Sequence, residues 1–169
     1  MSSKRVFFAL WPDDRQRDRL RDVINSVAKD VEGRATDRRN WHITLAYVGN
    51  IDEVLIPKLL QQAAAIQVAP FQLGFDRLEF WARSKVACLV SPTIPPELQT
   101  LVADLHAVLM DAGILLEDLT YRPHLTVSKG ARAFTTERLS PRATTEWSSF
   151  ELIESISGPG GSSYRPLKQ

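Results

Sequence analysis

Apolar and polar residues follow two different periods along the chain, one typical of strands and one typical of helices. Short apolar runs that end at polar or turn residues predict strands, whereas apolar residues at i, i+3, i+4 and i+7 predict helices with one buried face. Strands are predicted at residues 5–11 (RVFFALW), 41–48 (WHITLAYV), 71–75 (FQLGF), 85–91 (KVACLVS), 123–128 (PHLTVS), 147–156 (WSSFELIESI) and 164–168 (YRPLK). The apolar phase slips by one residue after FQLGF, which predicts a bulge near Asp76 and Arg77.

Three helices are predicted between these strands. The first begins near Asp13, the second at Asp52 and Glu53, and the third at Pro95, with Gly113 as its stop. The apolar stripes are Leu20, Val23, Ile24 and Val27, then Ile56, Leu59, Leu60 and Ala63, then Leu98, Leu101, Val102, Leu105 and Leu109. The segment EGRATDRRN before the second strand is predicted to be a polar loop, and GPGGSS near the end is predicted to be a turn.

The order strand, helix, loop, strand occurs twice, and each second strand carries the motif H-x-T. His42 lies 29 residues after Asp13, and His124 lies 29 residues after Pro95. This internal repeat predicts two similar lobes related by an approximate two-fold axis, with the two H-x-T strands facing each other across a cleft.

Within each motif the histidine and the threonine are predicted to share one face of a strand, because side chains at i and i+2 point the same way. His42 and Thr44 form one such pair, and His124 and Thr126 form the other. The residues between and after them face the opposite side and are predicted to be buried. By the same alternation, Tyr47 is predicted to lie in the core.

Two facing imidazoles suit a reaction in which one proton leaves a nucleophile and another reaches a leaving group. Histidine titrates near pH 6.5, so a neutral ring and a protonated ring can coexist, and the threonine hydroxyls can donate to a phosphoryl oxygen. The pattern therefore favours phosphoester chemistry without a metal. The third histidine, His106, lies at the edge of a helical stripe without a threonine partner and is interpreted as structural. The chain lacks a zinc-ligand motif, a phosphate-binding P-loop and a G-x-S-x-G elbow.

Composition restricts the class of protein further. The 169 residues predict one domain, residues 1–169, and the net charge of +1 argues against a protein that coats long nucleic acid through its overall field, although it leaves a local basic cleft open. The single cysteine, Cys88, lies in the apolar run VACLVS and is predicted to be a buried structural thiol. No signal peptide or membrane span is predicted, so a cytoplasmic protein is expected. A monomer is expected as well.

The segments RVFFAL, NWHITLAYVG, RPHLTV and YRPLK, with H-x-T motifs about 80 residues apart, resemble the two-histidine (2H) phosphoesterase superfamily. Within it they resemble the RNA 2',3'-cyclic phosphodiesterases, historically named 2'-5' RNA ligases. The resemblance implies a bilobal α+β fold with antiparallel sheets lining a central cleft and helices outside. It implies His42 and His124 as catalytic residues, with His124 favoured as base and His42 as acid. It further implies Thr44 and Thr126 as phosphate-binding residues, with no metal and no cofactor.

The resemblance also identifies a departure. In that branch a basic residue, usually arginine, stands at the fifth position after the second histidine, and here the residue is Lys129. Lys129 is expected to bind the substrate phosphate together with the two threonines. Lysine keeps the charge but loses bidentate geometry, and Arg132 is a candidate to compensate. Phe7 is a candidate to stack on a base. Further candidates to guide an RNA end are Arg38, Arg39, Arg122, Arg132 and Arg165.

The leading hypothesis is therefore a metal-independent phosphodiesterase that opens the 2',3'-cyclic phosphate end of RNA or oligonucleotides to a 2'-phosphate. The reverse reaction would be 2'-5' RNA ligation. Small cyclic nucleotides remain alternative substrates. A non-enzymatic module that binds RNA ends is an alternative of another class, and a metal-dependent phosphatase is a third.

Overall fold

Two β-sheets and three helices account for most of the chain. The computed structural model describes residues 2–117 and 120–168. The strands within these residues are β1 (Ser3–Leu10), β2 (Arg34–Ala35), β3 (Ile43–Asp52), β4 (Phe71–Trp81), β5 (Val86–Val90), β6 (His124–Lys129), β7 (Glu137–Trp147), β8 (Glu151–Gly158) and β9 (Gly161–Leu167). The helices are α1 (Asp14–Ala28), α2 (Ile56–Ala64) and α3 (Pro96–Asp111), with short 3-10 turns at Arg38–Asn40 and Glu53–Leu55.

The strands form two antiparallel sheets with related strand orders. Sheet 1 has the order β3-β1-β8-β9, and sheet 2 has the order β2-β6-β5-β4-β7. In each sheet the H-x-T strand, β3 or β6, pairs with the strand that precedes the adjoining helix, β1 or β5. On its other side, β1 pairs with β8 in sheet 1, and β5 pairs with β4 in sheet 2. The predicted α+β class with antiparallel sheets is confirmed, and four strands of each sheet follow one common order.

The helices begin where the sequence places their caps, with one exception. Helix α1 has a capping box in which Gln16 N–H donates to Asp13 Oδ1 over 2.8 Å and Asp13 N–H donates to Gln16 Oε1 over 2.7 Å. Helix α2 starts later than predicted because β3 continues through Asp52, whose carboxylate accepts from Val54 N–H and caps the 3-10 turn. Gly113, with a φ of +77°, follows α3 as expected.

A β-bulge follows the threonine of both H-x-T motifs. The register of β1 against β3 skips Leu45, the residue after Thr44, and the register of β5 against β6 skips Val127, the residue after Thr126. Both additional residues are buried. Because a bulge inserts one residue, the side chains beyond it exchange faces relative to simple alternation.

This bulge explains why the prediction for Tyr47 is wrong. Tyr47 is 53% exposed rather than part of the core. Beyond the bulge at Leu45 it pairs with Phe7 of β1, so its side chain lies on the same face as Phe7 and away from Ile43.

The sheets also contain strands that the apolar pattern does not predict. Strand β7 carries mostly exposed side chains, and it forms an edge of sheet 2 by pairing with β4. The strand predicted at residues 147–156 is divided, since Trp147 ends β7 and Glu151 begins β8. The predicted polar loop contains the short strand β2. The predicted bulge is confirmed, because the register of β4 against β7 shifts between Phe75 and Arg77.

Candidate active site

His42 and His124 are fixed by the same kind of hydrogen bond. Nδ1 of His42 lies 2.7 Å from the carbonyl oxygen of Asn40, and Nδ1 of His124 lies 2.8 Å from the carbonyl oxygen of Arg122. Because a carbonyl oxygen only accepts, each Nδ1 carries a proton. In both rings Nε2 is therefore the atom that can take up or release a proton.

Aromatic side chains surround His42. The ring centroid of His42 lies 4.9 Å from that of Phe7, 5.1 Å from that of Tyr164 and 6.0 Å from that of Trp11. These three residues belong to a small apolar cluster that is separate from the main core, where Phe8 lies. Of the two adjacent phenylalanines, Phe7 is thus the one beside the candidate catalytic ring.

His124 has a more polar environment. The ring of Trp81 lies 4.3 Å from the His124 ring, and the Arg122 guanidinium lies 5.1 Å from the Trp81 ring. Glu79 joins these groups, because its Oε1 accepts from Arg122 Nη2 over 3.1 Å and from Trp81 Nε1 over 3.1 Å. The structure therefore brings Arg122 next to the second histidine.

Both histidines resist protonation in the free protein. Burial, together with the charge of Lys129 and the charge that His124 carries when it is protonated, lowers the pKa of His42 to about 4. Burial and the charge of Arg122 also lower the pKa of His124. Because the charges of His124 and Lys129 act on the pKa of His42, the three side chains lie close enough to interact electrostatically. His42 directly precedes β3 of sheet 1, whereas His124 and Lys129 lie in β6 of sheet 2.

The threonines of the two motifs are both partly buried. Thr126 Oγ1 lies 3.6 Å from Sγ of Cys88, whose pKa burial raises to about 11, and this agrees with the predicted structural thiol. The backbone carbonyl of Thr44 accepts from Tyr121 Oη over 3.0 Å. A cavity of about 570 Å³ is lined by Thr44 from one sheet and His124 from the other.

Lys129 reaches the same face as His124 because of the bulge at Val127. An offset of five residues along a regular strand would place Lys129 on the opposite face. Its Nζ donates to Tyr164 Oη over 3.2 Å and lies 5.5 Å from the centre of that ring. Since Tyr164 belongs to β9 and Lys129 to β6, this bond joins the two sheets.

The arginines predicted to guide RNA all form ion pairs with carboxylates. The partners are Asp18 for Arg38, Asp37 for Arg39, Glu79 for Arg122, Glu32 for Arg132 and Glu154 for Arg165. Arg165 follows Tyr164 in the strand and therefore points to the opposite face from His42. Among the described residues, no contact joins Arg39 or Arg132 to either histidine.

Three aromatic residues beside the histidines are not predicted from the sequence pattern, namely Tyr164, Trp11 and Trp81. Trp11 stands four residues after Phe7, so the period of two in β1 is a usable signal for it. Trp81 and Tyr164 reach the histidines only through the pairing of distant strands, which no local pattern reports.

Two further findings concern metals and membranes. Within residues 2–117 and 120–168, no group of three or more His, Cys, Asp or Glu side chains is arranged to hold a metal ion. In the same part of the chain, no helix combines the length and the apolar character needed to cross a membrane.

Comparison with known proteins identifies the family. The profile of the 2'-5' RNA ligase superfamily matches residues 11–153. The chain belongs to the 2'-5' RNA ligase superfamily. Its relatives in this superfamily include the RNA 2',3'-cyclic phosphodiesterase of Archaeoglobus fulgidus, which is 23% identical over 173 residues, 97% of this chain and 98% of the relative. The RNA 2',3'-cyclic phosphodiesterase of Escherichia coli K12 is 26% identical over 170 residues, 98% of this chain and 95% of the relative.

Solved structures agree with this membership. The crystal structure of E. coli LigT complexed with 3'-AMP matches with a TM-score of 0.86 and 26% identity, covering 99% of this chain and 97% of LigT. The crystal structure of TT0787 of Thermus thermophilus, at 20% identity and a TM-score of 0.74 over 97% of this chain and 95% of that one, shares the fold. The superfamily fold thus extends over almost the whole chain.

Proposed function

We propose that this protein hydrolyses 2',3'-cyclic phosphate ends of RNA or oligonucleotides. The observation that carries the proposal is the matched pair of imidazoles. Each is held through Nδ1 by a backbone carbonyl, each has Nε2 available, and Lys129 lies within electrostatic reach. Membership of the superfamily and the names of the two full-length relatives support the same substrate class.

The chemistry follows from two Nε2 atoms in different protonation states. A neutral imidazole accepts a proton from water while the water oxygen forms a bond to phosphorus. The bond between phosphorus and one ribose oxygen breaks, and the protonated second imidazole gives its proton to that oxygen. The hydroxyls of Thr44 and Thr126 and the ammonium of Lys129 bind the nonbridging oxygens, where negative charge increases in the transition state.

The lowered pKa values imply that one of the two imidazoles becomes protonated when the substrate binds. In the free protein both imidazoles are mostly neutral at pH 7, because burial and nearby cations disfavour the charged form. A bound phosphate anion has the opposite effect and raises the pKa of both rings. Substrate binding and uptake of one proton are therefore coupled in this mechanism.

Three finer points belong to the proposal. The product is a 2'-phosphomonoester, as the family resemblance implies. No metal takes part, because two imidazoles and a lysine supply the acid, the base and the positive charge. The same site can join a cyclic phosphate end to a hydroxyl by microscopic reversibility, which is the 2'-5' ligation that the family name records.

One experiment tests the function and its finer points. A short RNA with a 2',3'-cyclic phosphate end is incubated with the purified protein, with and without EDTA, and the product is analysed by mass spectrometry and ³¹P NMR. We expect addition of one water, a 2'-phosphate and equal rates with EDTA. Binding of the RNA without any turnover would instead favour the non-enzymatic module. A loss of rate in EDTA that a divalent ion restores would contradict the metal-free mechanism.

A further inference from the structure

A second, smaller cavity borders Lys129. Its volume is about 230 Å³, and it lies between β2, the 3-10 turn before His42, the end of β6 and the turn that joins β8 to β9. Residues that line it include Arg34, Asp37, Asn40, Lys129, Gly161 and Ser162. The larger cavity beside Thr44 and His124 shares none of these residues.

The small cavity is coupled to His42 through Asn40. The backbone carbonyl of Asn40 accepts from Nδ1 of His42, and its side-chain Nδ2 donates to the carbonyl of Ser162 over 3.2 Å. One residue therefore holds both the candidate catalytic ring and a wall of the cavity. Lys129, whose charge lowers the pKa of His42, lines the same cavity.

The charge in the cavity is positive. Arg34 pairs directly with Lys129 across β2 and β6, so the two side chains leave the same face of sheet 2 from Cα atoms about 5 Å apart. The carboxylate of Asp37 is already occupied, because both of its oxygens accept from the Arg39 side chain and these bonds lower the pKa of Asp37 to about 2.

Arg34 differs from the arginines that the sequence singles out. Those arginines are paired with carboxylates, whereas the guanidinium of Arg34 forms no ion pair with any residue in the described parts of the chain. Arg132, the candidate to compensate for Lys129, is paired with Glu32. An unpaired guanidinium beside a lysine suits an anion with several oxygens, because its planar fork binds two of them at once.

We propose that this cavity is a second phosphate site, which binds the phosphate on the 5' side of the terminal nucleoside while the cyclic phosphate lies between the histidines. Arg34 binds this second phosphate, and Lys129, which borders both sites, lies between the two anions. The inference rests on the proposed function and deepens it. Such a site makes the protein selective for oligonucleotide ends over nucleoside 2',3'-cyclic phosphates that lack a 5'-phosphate.

The test compares two substrates that differ by one group. Adenosine 2',3'-cyclic phosphate is assayed with and without a 5'-phosphate, using wild type and Arg34→Gln. We expect wild type to favour the 5'-phosphorylated substrate by about 10-fold or more in kcat/KM, because a hydrogen-bonded charge pair is worth roughly that factor. Arg34→Gln should remove most of this preference, and it should do so through KM for the 5'-phosphorylated substrate.

Salt dependence and a matched control variant test the contact between Arg34 and the second phosphate in two further ways. Loss of one phosphate contact should reduce the slope of log(1/KM) against log[salt] by about 0.7 for the 5'-phosphorylated substrate. Arg138→Gln removes the same charge from the opposite edge of sheet 2 and should leave the preference unchanged. Circular dichroism establishes that both variants are folded.

Two outcomes overturn the inference without touching the proposed function. One is equal turnover of both substrates by wild type, and the other is an equal effect of Arg34→Gln on both. Failure of wild type to turn over the short RNA with a 2',3'-cyclic phosphate end contradicts the proposed function instead. Calorimetric binding of adenosine 2',5'-bisphosphate and adenosine 2'-phosphate then tests the cavity alone, where equal affinity of wild type for the two ligands overturns the second site.

Discussion

Lys129 and Tyr164 form a hydrogen bond of 3.2 Å that connects strands of two different sheets. The Tyr164 ring also lies 5.1 Å from the ring of His42. One side chain therefore positions both a cation and an imidazole. A cation fixed before the substrate arrives stabilises developing charge without the cost of reorganisation, so in the proposed mechanism we expect this bond to affect the rate.

Replacing Tyr164 by phenylalanine should lower kcat/KM by about 10-fold, in the range of a hydrogen bond to a charged group. The ring contacts with Phe7 and His42 remain, and only the oxygen that accepts from Lys129 is lost. Steady-state kinetics of Tyr164→Phe, Lys129→Ala and the double variant measure the effect. Since Tyr164 acts through Lys129, the double variant should be no slower than Lys129→Ala. Independent, multiplying losses would show that the tyrosine acts by another route.

Removing either imidazole should be severe. His42→Ala and His124→Ala should each reduce kcat by roughly 10²- to 10⁴-fold, because each removes a proton-transfer group from one displacement step. The double variant should lose less than the product of the two single losses, since groups that act in one step are not additive. Full activity of either single variant, with its fold intact by circular dichroism, rules out the two-histidine mechanism.

The pKa values of the two histidines should determine how kcat/KM depends on pH. The productive form has one neutral and one protonated ring, so kcat/KM, which reports the free enzyme, is greatest between the two pKa values. The pKa of His42 is about 4 and that of His124 is below 6.5, so kcat/KM should rise as the pH falls from 8 and reach its maximum below pH 6.5. This shape is the same whichever ring is the acid.

A variant provides the control for the pH profile. Lys129 contributes to the low pKa of His42, so Lys129→Ala should move the acidic limb of kcat/KM to higher pH. The profile of kcat should lie at higher pH than that of kcat/KM, because the bound phosphate anion favours the protonated rings. A maximum of kcat/KM above pH 7.5 would be inconsistent with these surroundings of the histidines.

The threonine hydroxyls should contribute moderately. Thr44→Val and Thr126→Val keep the shape of the side chain and remove one donor each from a phosphate that retains other partners. A loss of about 5- to 150-fold in kcat/KM is expected for each, on the order of 1 to 3 kcal/mol. Parallel kinetics of both variants provide the measurement. Wild-type rates in both would mean that the threonines only occupy strand positions.

Much of this structure can be predicted from the sequence, because strands and helices each produce their own spacing of apolar residues. The pairs His42 with Thr44 and His124 with Thr126 are partly buried and alternate with fully buried residues, as a period of two predicts. The apolar stripe of α3 is buried as its spacing requires. In a strand these features depend on residues two positions apart, and in a helix on residues about one turn apart. They can therefore be predicted without knowledge of the rest of the chain.

Other features depend on contacts between distant segments. Tyr47 is misassigned because a bulge is a property of strand pairing rather than of one strand. Strand β7 has few apolar residues, and pairing with β4 rather than burial defines it. Tyr164 and Arg34 meet Lys129 from positions 35 residues later and 95 residues earlier in the chain, so only the arrangement of the sheets brings them to the site.

The paired bulges also give the cleft a direction. In both halves the side chains that reach the cleft stand at the histidine, two residues later and five residues later, and the last position is Tyr47 in one half and Lys129 in the other. The histidine and threonine positions are common to the two halves, so they do not distinguish the two ends of the cleft. The fifth position does, because Lys129 places an ammonium there, whereas Tyr47 places a phenol whose oxygen accepts from Arg5 Nε over 2.7 Å. The cleft therefore presents a lysine at one end and a tyrosine bound to an arginine at the other.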